Sequence, residues 1–276
     1  MTLDLTLHTA PSVPLEAEVI TPTRLAGLSP ADAARLTVVH GNQSAELGEF
    51  FRVESTAGGD LHLSGDLARI KMVGAGMTEG RIVVHGAAGM HLGVGMSGGE
   101  ILVEGDAADW VGAEMTGGRI VIRGNAGHMV GAPYRGSRVG MRGGEILIFG
   151  NAGSEVGSGM RRGLIAVAGD SGDFTGVNML AGTIAVLGRL GWRPGAGMRR
   201  GTIVSMHPAE LLPTFSFACT FRPVILRLYL PYLRGLGLPI TEAQVQGSYQ
   251  RWCGDAIELN RGEILLLDPG ESSATA

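Results

Sequence analysis

Residues 81–100 read RIVVHGAAGMHLGVGMSGGE, and the chain then varies the theme as EILVEGDAADWVGAEMTGGR (100–119) and RIVIRGNAGHMVG (119–131). Counting phases fixes the period. Gly80, Gly99, Gly118, Gly144, Gly163, Gly182 and Gly201 are spaced by 19, 19, 26, 19, 19 and 19 residues, and Gly86, Gly105, Gly124, Gly150, Gly169 and Gly188 keep step. The unit is nineteen residues, interrupted once by seven extra residues within Ala132–Arg138 (APYRGSR), after which the register resumes at Val139. A self-similar period of this length marks units that stack on their neighbours.

Between the two glycine series lie Ile82-Val-Val, Ile101-Leu-Val, Ile120-Val-Ile, Ile146-Leu-Ile, Ile165-Ala-Val and Ile184-Ala-Val. β-Branched triplets bounded by glycine read as short strands. Parallel strands in an open sheet need long, usually helical crossovers, and GDAADWVGAEMTGG is too rich in glycine for a helix. Nineteen is not a multiple of six, which excludes the six-residue left-handed pattern. The expected fold is all-β: a right-handed parallel β-helix over 61–206, with an N-terminal capping segment over 1–60 and a helix-containing C-terminal capping segment over 207–276.

The rest of the composition sets bounds. The 276 residues include 46 glycines, and the net charge of −4 speaks against a nucleic-acid or membrane-surface partner. Cys219 and Cys253 offer neither CxxC nor a disulfide framework. The opening MTLDLTLHTAPSVPLE lacks a basic n-region and an apolar h-region, and no run reaches the ~18 apolar residues of a membrane span. A soluble cytoplasmic protein is expected.

In a stacked fold one phase becomes one physical row. Met77, Met96, Met115, Met141, Met160, Met179 and Met198 share a phase. A thioether metal site would want clustered histidine or cysteine, so an interior row of gap-filling side chains is expected. Asp66, Asp106, Asn125, Asn151 and Asp170 each follow the second glycine series. Without GGxGxD spacing for calcium, they are expected to bond their own turns, as are Asp109 and Asp173. With Ile82 and Val84 inward, the outward row is Val83, Leu102, Val121, Leu147, Ala166 and Ala185. A solvated face would be polar there, so the chain's own ends or another protein should cover it.

The turns change along the chain, from MTEGR, MSGGE and MTGGR to MRGGE, MRRGL, MLAGT and MRRGT. Arg142, Arg161 and Arg199 share one phase, with Arg162 and Arg200 beside them. Guanidinium forks suit carboxylates and phosphates, so this edge is the candidate binding site, for an anion or an acidic partner. A solvated edge with counterions is the alternative. Arg135 and Arg138 in the insertion are a weaker candidate. No HxH, HExxH, nucleophile elbow or dinucleotide fingerprint in its strand–helix setting is present, so no catalytic or metal-ligating residue is assigned.

Outside the repeat, SPADAARL offers Ser29 as an N-cap with Pro30 at the first helical position. FRPVILRLYLPYLRGLGLPITEAQVQGSYQRW (221–252) reads as one or two proline-punctuated helices and RGEILLL as a final strand. The ends of a stack expose unpaired strand edges, and both flanks are expected to cap them.

The VGAGM, LGVGM, VGSGM and PGAGM series on its nineteen-residue period resembles the GXGXG β-helix at the carboxyl end of glutamate synthase and in the C subunit of formylmethanofuran dehydrogenase. GNQSAELGEFFRVE (41–54) and RWCGDAIELNRGEILL (251–266) are similar to the flanks of that C subunit, so the likeness spans nearly the whole chain. It implies a non-catalytic subunit. The archaeal complexes reduce carbon dioxide onto methanofuran. The related bacterial formyltransferase/hydrolase complex moves a formyl group from tetrahydromethanopterin to a methanofuran-type carrier and releases formate. Twenty-one arginines against the single Lys71 favour the bacterial version. The resemblance further implies three kinds of partner: an amidohydrolase-like, a dehydrogenase-like and a formyltransferase subunit of the same complex. It also implies a glutamate-rich carrier tail that Arg142, Arg161, Arg162, Arg199 and Arg200 could hold. A glutamate-synthase-type coupling domain and a carbohydrate-acting β-helix are the other readings.

Overall fold

A computed structural model describes residues 2–270. One 13-stranded sheet runs through it. From one edge its strands are Ser216–Phe221, Tyr249–Gly254, Gly262–Leu267, Thr202–Ser205, Thr183–Val186, Arg162–Val167, Arg142–Ile148, Arg119–Ile122, Glu100–Val103, Arg81–His85, Leu61–Ser64, Thr2–Leu7 and Phe51–Thr56. From Leu61–Ser64 to Gly262–Leu267 every neighbouring pair is parallel. Ile82, Ile101, Ile120, Ile146, Ile165, Ile184, Ile203 and Ile264 pair in one unbroken row, all fully buried. The stack is solenoid-like, as the period requires.

The segments between strands are held just as regularly. Bridges link Leu67, Ala88, Ala107, Ala126, Ala152, Ser171 and Leu190 in a second parallel row. On a third track the amide of His91 donates to Asp109, Trp110 to His128, Met129 to Ser154, Glu155 to Asp173 and Phe174 to Trp192. Backbone groups that a loop would leave to water are thus answered by the adjacent coil.

Two glycine rows show why the repeat cannot use larger residues. Gly93 has φ +64, and a Cβ there would stand 2.6 Å from Ile120 Cδ1. Gly118 has φ +82, and its missing Cβ leaves room for the tip of Met96, whose Cε would lie 2.6 Å away. The same methionine–glycine relation recurs for Met115 with Gly144 and Met141 with Gly163. The seven methionines of the row are all buried in the main core, filling space that glycine vacates one coil further on.

The Asx row corrects the expectation that these side chains bond their own turns. Only Asp66 does so, accepting from the amide of Ala68 at 3.2 Å. Asp106 accepts from the amide of Asn125 (2.6 Å), Asn125 from Asn151 (2.8 Å), Asn151 from Asp170 (2.8 Å) and Asp170 from Arg189 (2.7 Å). Asp109 and Asp173 likewise accept from His128 and Trp192, both at 2.7 Å. Stacking places the next coil's amide within reach of each of these side-chain oxygens.

Each end adds one parallel strand to the stack and an antiparallel strand beyond it. Thr2–Leu7 runs parallel to Leu61–Ser64, and Leu3, Leu5, Leu15 and Ile20 extend the coil interior. Ser29 caps the helix Pro30–Ala34, its hydroxyl accepting from the amide of Asp32 at 3.1 Å. At the far end Gly262–Leu267 pairs in parallel with Thr202–Ser205, so the last strand adds a coil to the stack. The expected helical stretch 221–252 is helical over Leu226–Gly235, which accommodates Pro231, and Glu242–Gln246, while Tyr249–Gly254 is a strand. That strand pairs antiparallel with Gly262–Leu267.

From Val121 onward the outward apolar row is covered by the chain itself, with Leu102 half-buried at the margin of the cover. Val121, Leu147, Ala166, Ala185 and Val204 pack beneath Leu226, Leu230, Leu233, Leu238, Ile240, Val245 and Tyr249. Leu226, Leu230 and Leu233 recur at one face of a helix, and burying each contributes about 1.5–3 kcal/mol. That cover brings the C-terminal segment alongside the arginine edge.

Candidate functional site

The turn between each interior methionine and the next strand lies at one edge of the stack. The amides of Arg142, Arg161, Leu180 and Arg199 donate to Met115, Met141, Met160 and Met179 at 2.7, 2.8, 2.7 and 2.8 Å. This pins the four residues at one phase. Arg161-Arg162 and Arg199-Arg200 belong to coils two steps apart, about 10 Å at ~4.8 Å per coil. Between them the intervening coil presents Leu180, Ala181 and Gly182. Two tall, charged coils flanking a short, neutral one leave a recess.

That recess is a cleft of about 830 Å³ lined by Arg161, Arg162, Arg199, Arg200 and, from the C-terminal segment, Tyr229, Glu258 and Arg261. Arg142 lies one coil outside it, exposed, its Cα paired with that of Arg162. Four of the five sequence-predicted arginines therefore share one cavity. Arg199 is neutralised within the chain, its Nε 3.0 Å from Glu258 Oε2. Among the described residues, the guanidinium groups of Arg161, Arg162, Arg200 and Arg261 have no ion pair or hydrogen bond.

Arg261 was not singled out from the sequence, although a signal was present. Thr202 pairs with Glu263, so Arg261-Gly262 sits one coil beyond Arg200-Gly201 and repeats its Arg-Gly pattern. The sixty-residue excursion between them hides the phase. Glu258 and Tyr229 carry no such signal, because only the folding-back of the C-terminal segment brings them here.

The rim is anchored by Asp255, which is buried and accepts from the amides of Gly197 (3.0 Å) and Ile257 (3.2 Å). Burial pushes its carboxyl up, but the amide donors outweigh it and hold the group below its ordinary value. On the far side of Glu258 a second cleft of about 550 Å³ is lined by Ser137, Arg138, Ser158, Asn178 and Arg199. Arg135 is exposed and lines neither cleft. The insertion is tied back onto earlier coils: the Tyr134 hydroxyl lies 3.0 Å from His91 Nδ1 and its amide donates to Glu114 at 3.1 Å.

Upstream, the same edge is electrically matched. Arg81 bonds Asp60 (2.7 Å) and Glu100 (2.9 Å), and Arg119 bonds Glu145 (2.9 Å), with a longer contact to Glu100 (3.8 Å). Alternating signs stack favourably on this row. Further along this edge, Arg161, Arg162, Arg200 and Arg261 line the cleft without a carboxylate partner among the described residues. The imidazoles do not converge on it: His62 and His85 lie 2.9 Å apart on the earlier coils, beside Glu104. Among the described residues no group of three His, Cys, Asp or Glu is placed to hold a metal ion, and no helix is long and apolar enough to cross a membrane.

No protein-family model matches the chain. Over 82 residues, 29% of its length, it is 44% identical to the C subunit of molybdenum-containing formylmethanofuran dehydrogenase 1 of Methanothermobacter thermautotrophicus, of which the match covers 20%. It is 45% identical over 85 residues to the corresponding subunit of Methanosarcina barkeri, covering 29% of this chain and 28% of that one. The C subunit of the tungsten-containing dehydrogenase 2 of M. thermautotrophicus is 41% identical over 93 residues, 32% of this chain and 34% of the relative. The matches thus span a fifth to a third of these curated relatives. A solved chain extends the likeness to nearly the whole of this chain. In the crystal structure of the formyltransferase/hydrolase complex from Methylorubrum extorquens with methylofuran, one chain superposes with a TM-score of 0.88 at 36% identity, covering 96% of this chain and 99% of that one. The repeat, both flanks and the covered outer face therefore have one counterpart, and the chain belongs to the family formed by the C subunits of formylmethanofuran dehydrogenase and of the formyltransferase/hydrolase complex.

Proposed function

We propose that this chain is a non-catalytic scaffold subunit of a formyltransferase/hydrolase complex. That complex transfers a formyl group from tetrahydromethanopterin to a methanofuran-type carrier and hydrolyses it to formate. Its companions are the amidohydrolase-like, dehydrogenase-like and formyltransferase subunits. The observation that carries this is the whole-length likeness to a chain of the complex solved with methylofuran. The winding is read as right-handed, the hand that parallel crossovers take.

Within that assembly the basic cleft docks the carrier's acidic tail. Glu258 is already seated on Arg199, so the cleft accepts a carboxylate, and the guanidinium groups of Arg161, Arg162, Arg200 and Arg261 stand ready for others. Each charge-assisted contact is modest at an exposed site, and several in a row give retention through multivalency.

Local identities of 41–45% to dehydrogenase subunits favour a second reading, the C subunit of a formylmethanofuran dehydrogenase. Affinity purification of the tagged full-length chain from its own host separates the two. Co-purification of a formyltransferase subunit and formyl transfer without redox activity supports the first, and a metal–pterin dehydrogenase activity supports the second. Replacing Arg161, Arg162, Arg200 and Arg261 by serine should leave the complex assembled while it loses the carrier; unchanged carrier retention would remove the docking role.

A further inference from the structure

The two basic clefts share Leu180, Arg199 and Glu258 in their linings, and only the last two of these are charged. What separates them is the Arg199–Glu258 ion pair. Its side chains are 63% and 32% exposed, and such pairs contribute only about 0–1 kcal/mol. Glu258 sits on the turn Ala256–Glu258, none of whose side chains is buried, just beyond the buried anchor Asp255. The base of this rim is fixed and its tip is free of packing. Among the described residues, Glu258 is also the one acidic residue lining either cleft, whereas Arg161, Arg162, Arg200 and Arg261 line the first cleft and Arg138 the second.

We infer that the Arg199–Glu258 pair is a displaceable partition within one continuous anion-binding groove, and that an extended chain of carboxylates displaces Glu258 and runs on to Arg138. Taking the basic cleft as a docking site, as proposed above, this adds the insertion to it. Tyr134, held at His91 and Glu114, sets the insertion against the coils so that Arg138 lines the second cleft. Seven extra residues in an otherwise constant period then serve a purpose, supplying the far end of the groove. The ligand is a chain with several carboxylates in sequence, because a compact anion would be satisfied in the first cleft without opening the pair. Glu258 occupies Arg199 while the groove is empty and is released when a longer ligand arrives.

The test is fluorescence anisotropy with fluorescein-labelled hexaglutamate, on the purified complex and on the full-length chain alone. Glu258→Ala, with Glu258→Gln as the gentler variant, should tighten binding by up to about five-fold, the equivalent of ~1 kcal/mol. Arg138→Ser should weaken binding more in the Glu258→Ala background than in the native one and so remove that gain, a coupling that independent sites would not show. Unchanged or weaker binding by both Glu258 variants overturns the partition, and a gain that survives Arg138→Ser overturns the continuous groove. Equal affinity for complex and free chain supports a groove open to a free ligand. Binding to the chain alone means that an acidic segment of a neighbouring subunit fills it, and overturns the proposal. Arg161→Ser with Arg162→Ser reports separately on the first cleft: if that pair leaves hexaglutamate binding intact, the docking role itself fails, whatever Glu258 does.

Discussion

The hydroxyl of Tyr232 donates to Glu145 Oε1 at 2.6 Å, joining the covering helix to the strand Arg142–Ile148, 87 residues earlier. Arg119 completes the group, donating to the Tyr232 oxygen at 3.0 Å and to Glu145 Oε2 at 2.9 Å. The contact ties cover to edge one step from the basic cleft. Tyr232→Phe is expected to cost about 1 kcal/mol, while Leu230→Ala, which empties a fully buried position under the same helix, should cost about 2–5 kcal/mol. Denaturant unfolding of the full chain checks the order, and equal losses would mean that the helix is held by its polar rim.

Gly93→Ala is expected to destabilise by about 2–4 kcal/mol, the sum of left-handed strain and overpacking against Ile120. Gly76→Ala, at φ +63 with open space around it, carries the strain alone and should cost about 1–2 kcal/mol. Thermal unfolding of the two variants separates conformational from packing demands on the repeat.

Asn125 both donates to Asp106 and accepts from the amide of Asn151. Asn125→Ala should cost about 1 kcal/mol by breaking a link of this row. Asn125→Asp should cost a similar amount near neutral pH by setting two carboxylates on adjacent coils, and recover as they protonate. A pH series of unfolding midpoints distinguishes the two.

His91 stacks on Trp110 and lies beside Tyr134, and burial, with Lys71 adding to it, holds its imidazole below the ordinary value. Glu16 and Asp109 oppose the shift without cancelling it. With the folded pKa lowered, the unfolded chain takes up the proton first. Stability is therefore full above the ordinary histidine value of about 6.5 and declines as pH falls below it. Melting temperatures between pH 7.5 and 5 should fall more steeply in the native chain than in His91→Asn, a variant suited to the left-handed φ of +63 at this position. Parallel curves would show that His91 has no part in the acid limb.

Much of the architecture was legible because stacking turns sequence spacing into geometry. Once Gly80 and Gly99 are nineteen apart, Met77 must lie beneath Met96 and Ile82 beside Ile101, and the arginines of two turns must share an edge. The Asx row was misjudged for the same reason in reverse. Its partners are nineteen residues away, so no local turn rule could reach them.

The sequence by itself determined the period, the interior, the insertion and the clustering of Arg161, Arg162, Arg199 and Arg200, since all of these follow from repetition, and repetition is a property of the text. Tertiary structure alone decided which arginines are free, what closes the cleft and what covers the outer face. Those depend on where the aperiodic segment 207–270 folds back. Nothing in its spacing says that Leu230 will join Ala166 in one core, that Glu258 will reach Arg199, or that Arg261 will continue a row broken about sixty residues before.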